Sequence, residues 1–122
     1  MSEDELQRGF VKYLSLKYPK IRYCASLGGI RTTYKQAVKA KANGYIKGMP
    51  DIQIMEARGS FHGLFIELKH KGYATKEQKQ WIKDLNERNY MAVVAKGIDQ
   101  ACETLDVYMS KEKTKVCGCE TN

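Results

Sequence analysis

Residues 48–69 read GMPDIQIMEARGSFHGLFIELK, and the fold turns on how this stretch pairs with itself. Two short apolar runs, Ile52 to Met55 and Leu64 to Leu68, flank a mostly polar, glycine-containing connection from Glu56 to Gly63. That is the sequence pattern of a β-hairpin. Antiparallel pairing sets the start of one strand beside the end of its partner. Asp51, just after Pro50 at the start of the first run, is therefore expected beside Glu67 and Lys69 at the end of the second.

Two strand-borne carboxylates at one edge suit a hard divalent cation such as Mg2+, with Mn2+ able to substitute, because such ions favour oxygen ligands. Period two puts Glu67 and Lys69 on one face of their strand. An ammonium beside such a cation and a scissile phosphate can orient an attacking water or stabilise charge on the phosphoryl oxygens. Each residue also has an ordinary reading. Aspartate after proline is a common turn residue, and Glu-x-Lys on a strand is more often a solvated face. Their joint occurrence at the mouth of one hairpin favours a site. So does the position of Glu67 within Leu64-Phe65-Ile66-Glu67-Leu68, where an unpaired charge is costly to bury.

Pro50-Asp51 followed by Glu67-Leu68-Lys69 resembles the PD-(D/E)xK signature of restriction-like nucleases, recombination nucleases and archaeal Holliday-junction resolvases. The flanks narrow the resemblance: Lys47-Gly48-Met49 before the aspartate, Phe65-Ile66 before the glutamate, then Thr75, Gln78, Trp81 and Leu85. From about Glu3 to Met109 the chain is similar to the VRR-NUC domain, the virus-type replication and repair nuclease module found alone in phages and fused to other domains in larger repair proteins. The resemblance implies that Asp51, Glu67 and the backbone carbonyl of Leu68 hold the cation and that Lys69 assists the attacking water. It also implies a glutamate on the first helix, for which Glu3 is the better match because Glu5 has a competing role as a helix cap; acids that merely favour the helix dipole at its N-terminus are an equal reading. Gln78 has equal claims to a supporting place in the site and to a purely capping one.

Composition bounds the rest. A chain of 122 residues, 43% of them hydrophobic, is one soluble globular domain. Without a long apolar run or a basic signal-peptide start, the expected location is cytoplasmic, the host cytoplasm for a phage-encoded chain, with no membrane partner. A net charge of +7 favours a polyanionic partner. The even cysteine count, Cys24, Cys102, Cys117 and Cys119, is read as reduced thiols. The single-residue gap of Cys117-Gly-Cys119 is too short for the usual zinc spacing, and no second ligand pair follows.

Along the chain, Ser2-x-x-Glu5 is a capping box opening a helix from about Glu3 to Tyr18. Glu3 and Gln7 share a face of that helix. Ile21 to Ala25 reads as a strand, and Ser26 to Arg31 as a flexible turn that brings Arg31 towards a phosphate or is plain turn chemistry. Thr33-x-x-Gln36 opens a helix to Asn43 on which Lys35 and Lys39 share a face. With Lys41, Lys47 and, past the hairpin, Lys71, they make a solvated face or a track for a DNA backbone. Thr75-x-x-Gln78 opens a helix with Trp81, Ile82 and Leu85 inward. Met91 to Ala95 reads as a buried strand and Ile98 to Met109 as a last helix. His62 and His70 are lone loop histidines with no assigned role.

This order predicts an α/β fold, a mixed sheet flanked by helices as in the restriction-endonuclease core, over residues 1–109, with a frayed polar tail over 110–122. The function implied is metal-dependent cleavage of DNA, branched DNA above all, by a homodimer resembling junction resolvases. A flap, nick or duplex nuclease and a non-catalytic basic DNA-binding module stand as alternatives.

Overall fold

The computed structural model describes residues 1–26 and 33–115. In chain order the elements are α1 (Glu3–Lys17), β1 (Tyr23–Ala25), α2 (Tyr34–Ala42), β2 (Ile52–Ile54), β3 (Leu64–Lys69), α3 (Lys76–Asn86), β4 (Met91–Lys96) and α4 (Gly97–Met109). The strands form one sheet in the order β1-β2-β3-β4. The first two pairings are antiparallel and β3 runs parallel to β4. This is the expected mixed sheet with helices, and the hairpin pairs Ile52 with Ile66 and Ile54 with Leu64.

Alternation along the strands divides the core in two. Ile52, Ile54, Leu64, Ile66 and Leu68 face a large cluster completed by Leu6, Phe10 and Leu14 of α1 and Ala101, Leu105 and Tyr108 of α4. The helical spacing of these residues makes one apolar stripe on each helix. On the other face, Phe65 and Ala92 meet Leu85, with Met49, Trp81, Ile82 and Tyr90 packed around them. All six residues of β3 are buried, as a strand covered on both faces must be.

Polar ties fix the outer elements. The Tyr13 and Tyr18 hydroxyls donate to the Asp106 carboxylate at 2.5 and 2.7 Å, and Lys17 Nζ lies 3.1 Å from the same group. Held there, α1 cannot slide on α4. At the far end of the hairpin, Arg58 donates to the carbonyls of Met109 and Lys111 and pairs with Glu56. The tail expected to fray from Ser110 is anchored up to Thr114: its backbone bridges to Arg58 at Lys113, and Gly59 N–H donates to Glu112 O at 2.7 Å. Backbone pairing, invisible to an apolar period, accounts for the difference.

The expected first three capping boxes all form, at Ser2, Thr33 and Thr75. No residue of α2 is buried. Cys24 and Cys102 are free thiols, whereas Cys117 and Cys119 lie outside the described residues. Among the described residues no helix is long and apolar enough to cross a membrane.

Tyr108 links the two ends of this packing, because its fully buried ring sits in the core while its hydroxyl donates to Glu56 O at 2.6 Å. Tyr108→Phe keeps the ring and removes one buried hydrogen bond. We expect a loss of about 1 kcal/mol, read as a lower urea midpoint at unchanged m-value.

Candidate active site

Pro50, fully buried, fixes the chain as it enters β2. The register that pairs Ile52 with Ile66 then sets Asp51 opposite Glu67 on the α3 side of the sheet. Ser26 N–H donates to Asp51 O at 2.9 Å and holds the backbone from the other flank. Asp51 Oδ2 in turn accepts from Leu68 N–H at 2.7 Å, which fixes the carboxylate across the strand gap. Lys69 Nζ lies 3.6 Å from Glu67 Oε2, both side chains being almost wholly enclosed. The structure therefore brings Asp51, Glu67, Leu68 and Lys69 together at the rim where the hairpin was expected to place them.

Gly48 explains how α3 closes over this rim. Its φ is +100°, a left-handed value, and an added Cβ would lie 2.8 Å from the backbone carbon of Glu77. The first turn of α3 thus packs directly on the approach to Asp51, and Trp81 Nε1 reinforces the contact by donating to Lys47 O at 3.0 Å.

Electrostatics set the pair apart from ordinary surface acids. Glu67 is 2% exposed, and its Oε1 is buried with no hydrogen-bond partner among the described residues. Burial first, then the charge of Asp51, pushes the Glu67 carboxyl up to about 8. Burial also raises Asp51, opposed by the Leu68 N–H bond, with the Glu3 charge adding to the rise. Two close carboxylates in a dry site cannot both ionise without compensation.

Glu3, in the first turn of α1, is near enough for its charge to bear on Asp51. Glu5, by contrast, is occupied as the cap: its Oε1 accepts from Ser2 N–H at 2.8 Å. Gln78 likewise closes the Thr75 box through its Oε1 at 2.8 Å. Lys47 and Lys71 are exposed near the rim, and Lys35 and Lys39 are exposed on α2. Arg31 lies outside the described residues.

Two neighbours of the rim were not legible in the sequence. Ser26 has a buried Oγ with no partner among the described residues, in the ladder position beside Asp51. Lys96 pairs in register with Lys69, one strand over. Its only sequence signal is a lysine between an apolar run and Gly97, which reads as the end of a strand.

The donor set fits a hard cation. Asp51 and Glu67 offer oxygens only, and the partnerless Glu67 Oε1 together with the upward-shifted pair describes a site short of positive charge. Among the described residues no third His, Cys, Asp or Glu completes a tight cluster, so any further ligands would be backbone or water.

The VRR-NUC domain family model matches residues 6–99, which include Asp51, Glu67, Lys69 and Gln78 and begin after Glu3. A solved structure described as a VRR_NUC domain protein is similar to this chain at 34% identity, with a TM-score of 0.81, over 94% of this chain and 93% of that one. No curated protein matches.

The raised carboxylate has a measurable sign. Between the ordinary glutamate value and about 8, native Glu67 retains a proton that the unfolded chain has released. Stability in EDTA therefore falls as pH rises through that window. Glu67→Gln should flatten the slope and gain about 1 kcal/mol or more at pH 8, roughly 4 °C in Tm. Thermal melts of both proteins at pH 6 and pH 8 measure it, and equal slopes would remove Glu67 as the cause.

Proposed function

We propose, from the premise that the chain belongs to the VRR-NUC domain family, that it is a divalent-metal-dependent, structure-specific DNA endonuclease of the PD-(D/E)xK type. Family membership gives a nuclease-type fold and DNA as the substrate. The finer reading rests on one observation above the rest: the half-buried Asp51 stands opposite the buried Glu67, with Lys69 Nζ 3.6 Å from Glu67 and a buried Glu67 oxygen left unpartnered among the described residues. A purely structural hairpin gains nothing from enclosing like charges.

In this reading Asp51, Glu67 and the carbonyl of Leu68 would hold Mg2+ or Mn2+, and Glu3 would complete the shell through water. The cation supplies Lewis acidity at the phosphoryl oxygen and a lower pKa for the nucleophilic water. The chain does the positioning. Leu68 N–H keeps Asp51 in one orientation, so its remaining oxygen is aimed before substrate arrives. Lys69, fixed by its strand and by Glu67, carries positive charge to the face where a phosphate would sit, orients the attacking water and stabilises the transition state. As water adds to phosphorus, the P–O bond to the leaving nucleotide breaks in line with it.

Lys35, Lys39, Lys47, Lys71 and Arg31 neutralise the DNA backbone on either side, and Gln78 braces α3 against the site. Cleavage of both strands of a junction requires two such sites. A homodimer acting on branched DNA in the manner of junction resolvases supplies them; the same core cutting flaps, nicks or duplex is the nearest alternative.

The test is cleavage of labelled four-way junction, flap and linear duplex DNA in Mg2+, Mn2+ or EDTA. Asp51→Asn and Glu67→Ala should each lose at least about a thousandfold in rate while retaining DNA binding by anisotropy. Paired, metal-dependent cuts confined to the junction support the dimeric resolvase. Cuts in flap or duplex move the substrate assignment, and binding without cutting in any metal points to the non-catalytic module.

A further inference from the structure

We infer that the loop joining β3 to α3 is a stacking platform for an unpaired nucleobase, with the Tyr73 ring as its floor and the Lys96 and Lys71 ammonium groups receiving the flanking phosphates. This rests on the nuclease reading and specifies which DNA its site accepts.

The position of the ring carries the argument. Tyr73 follows Lys69 by four residues, at most about 14 Å of extended chain, so it cannot leave the rim of the candidate site. Lys96 is the register partner of Lys69 on the adjacent parallel strand. From there its Nζ reaches 4.1 Å from the centre of the Tyr73 ring. The ring is thus tied to the strand end beside Lys69. Gly72, at φ +84°, provides the turn that delivers it there.

The same ring remains 78% exposed. It contributes little to either core cluster, and neither cluster includes it. One face is met by an ammonium, which strengthens the attraction of an aromatic ring in the manner of a cation–π pair, while most of the ring is open to solvent. From Lys69 to Lys76 the loop carries Lys69, His70, Lys71 and Lys76 and no acid. An open aromatic ring with one ammonium against it, in a loop rich in lysine, is a combination that binds single-stranded nucleic acid: the ring takes a base and the lysines take its phosphates.

Inside a duplex, pairing and stacking leave no base face free, so a base must first be released, at an opened branch point, gap, flap or frayed end, to lie on Tyr73. The platform therefore selects DNA in which the nucleotide beside the scissile phosphate is unpaired, and it does so without reading sequence, since every base has a π face.

The probe is DNA carrying 5-iodouracil at the first unpaired position of a single-stranded branch, or the same base within the paired arm. Each is irradiated with the Asp51→Asn chain, and with the unaltered chain in Ca2+ as a check on that variant. The expected result is an adduct mapped by mass spectrometry to Tyr73 from the branch base and none from the paired base. Tyr73→Ala should weaken binding of the branched DNA by about tenfold, more than it weakens duplex binding, and Tyr73→Phe should restore it because the ring and not the hydroxyl stacks. Adducts elsewhere, or unchanged affinity of Tyr73→Ala for branched DNA, overturn the platform. Metal-dependent cutting by the unaltered chain without a Tyr73 adduct removes the platform and leaves the nuclease reading standing, whereas absence of both binding and cutting removes both.

Discussion

The pairing of β2 with β3 sets the half-buried Asp51 against the buried Glu67, and most other features follow from holding those two carboxylates together at one end of the central strands. Burying like charges side by side opposes folding, because each raises the cost of ionising the other. The structure offsets this only in part. Leu68 N–H compensates one oxygen of Asp51 and Lys69 stands by one oxygen of Glu67, while Oε1 of Glu67 is left without a partner among the described residues. Residual strain of this kind persists only where surrounding structure over-determines it.

That over-determination comes from three directions. On one face, α1 and α4 pack Leu6, Phe10, Leu14, Leu105 and Tyr108 against the isoleucines of the hairpin. The Asp106 latch to Tyr13, Tyr18 and Lys17 then prevents α1 from shifting, and with it Glu3 at the other end of the helix. On the opposite face, α3 approaches so closely at Gly48 that any side chain there would strike Glu77. The backbone leading into Asp51 has no room to relax.

Much of this was legible because it is local. The hairpin, the three capping boxes and the apolar stripes are written in adjacent residues, and the register of one short antiparallel pair follows from the alternation of Ile52, Ile54, Leu64 and Ile66. Asp51, Glu67 and Lys69 were legible for the same reason. Lys96 was not, since its place beside Lys69 depends on a parallel pairing between strands separated by a whole helix. Nor was the anchoring of residues 111–114, which depends on backbone bonds to the Arg58 loop and leaves no mark on hydropathy. Ser26 is illegible in a third way: a serine after a strand is ordinary turn chemistry until its neighbour across the sheet is known.

The two ends of the hairpin carry opposite physical burdens. At the end near Gly63 the connection is fastened to α4 and the segment that follows it by hydrogen bonds of Arg58, Tyr108 and Thr114. At the other end, where β2 begins and β3 and β4 finish, lysines and carboxylates crowd together and an aromatic ring stands in solvent. A chain this small has one sheet from which to draw both stability and chemistry. Concentrating satisfied bonds at one end allows unsatisfied charge at the other, because the strands between them transmit position through a core that is buried on both faces. The short loop after β3 is held at Lys69 on one side and by the Thr75 cap on the other, and Lys96 meets the Tyr73 ring between them. Tyr73 is accordingly presented on a fixed frame, and the ordering cost of a stacking surface is met by the fold before any DNA arrives.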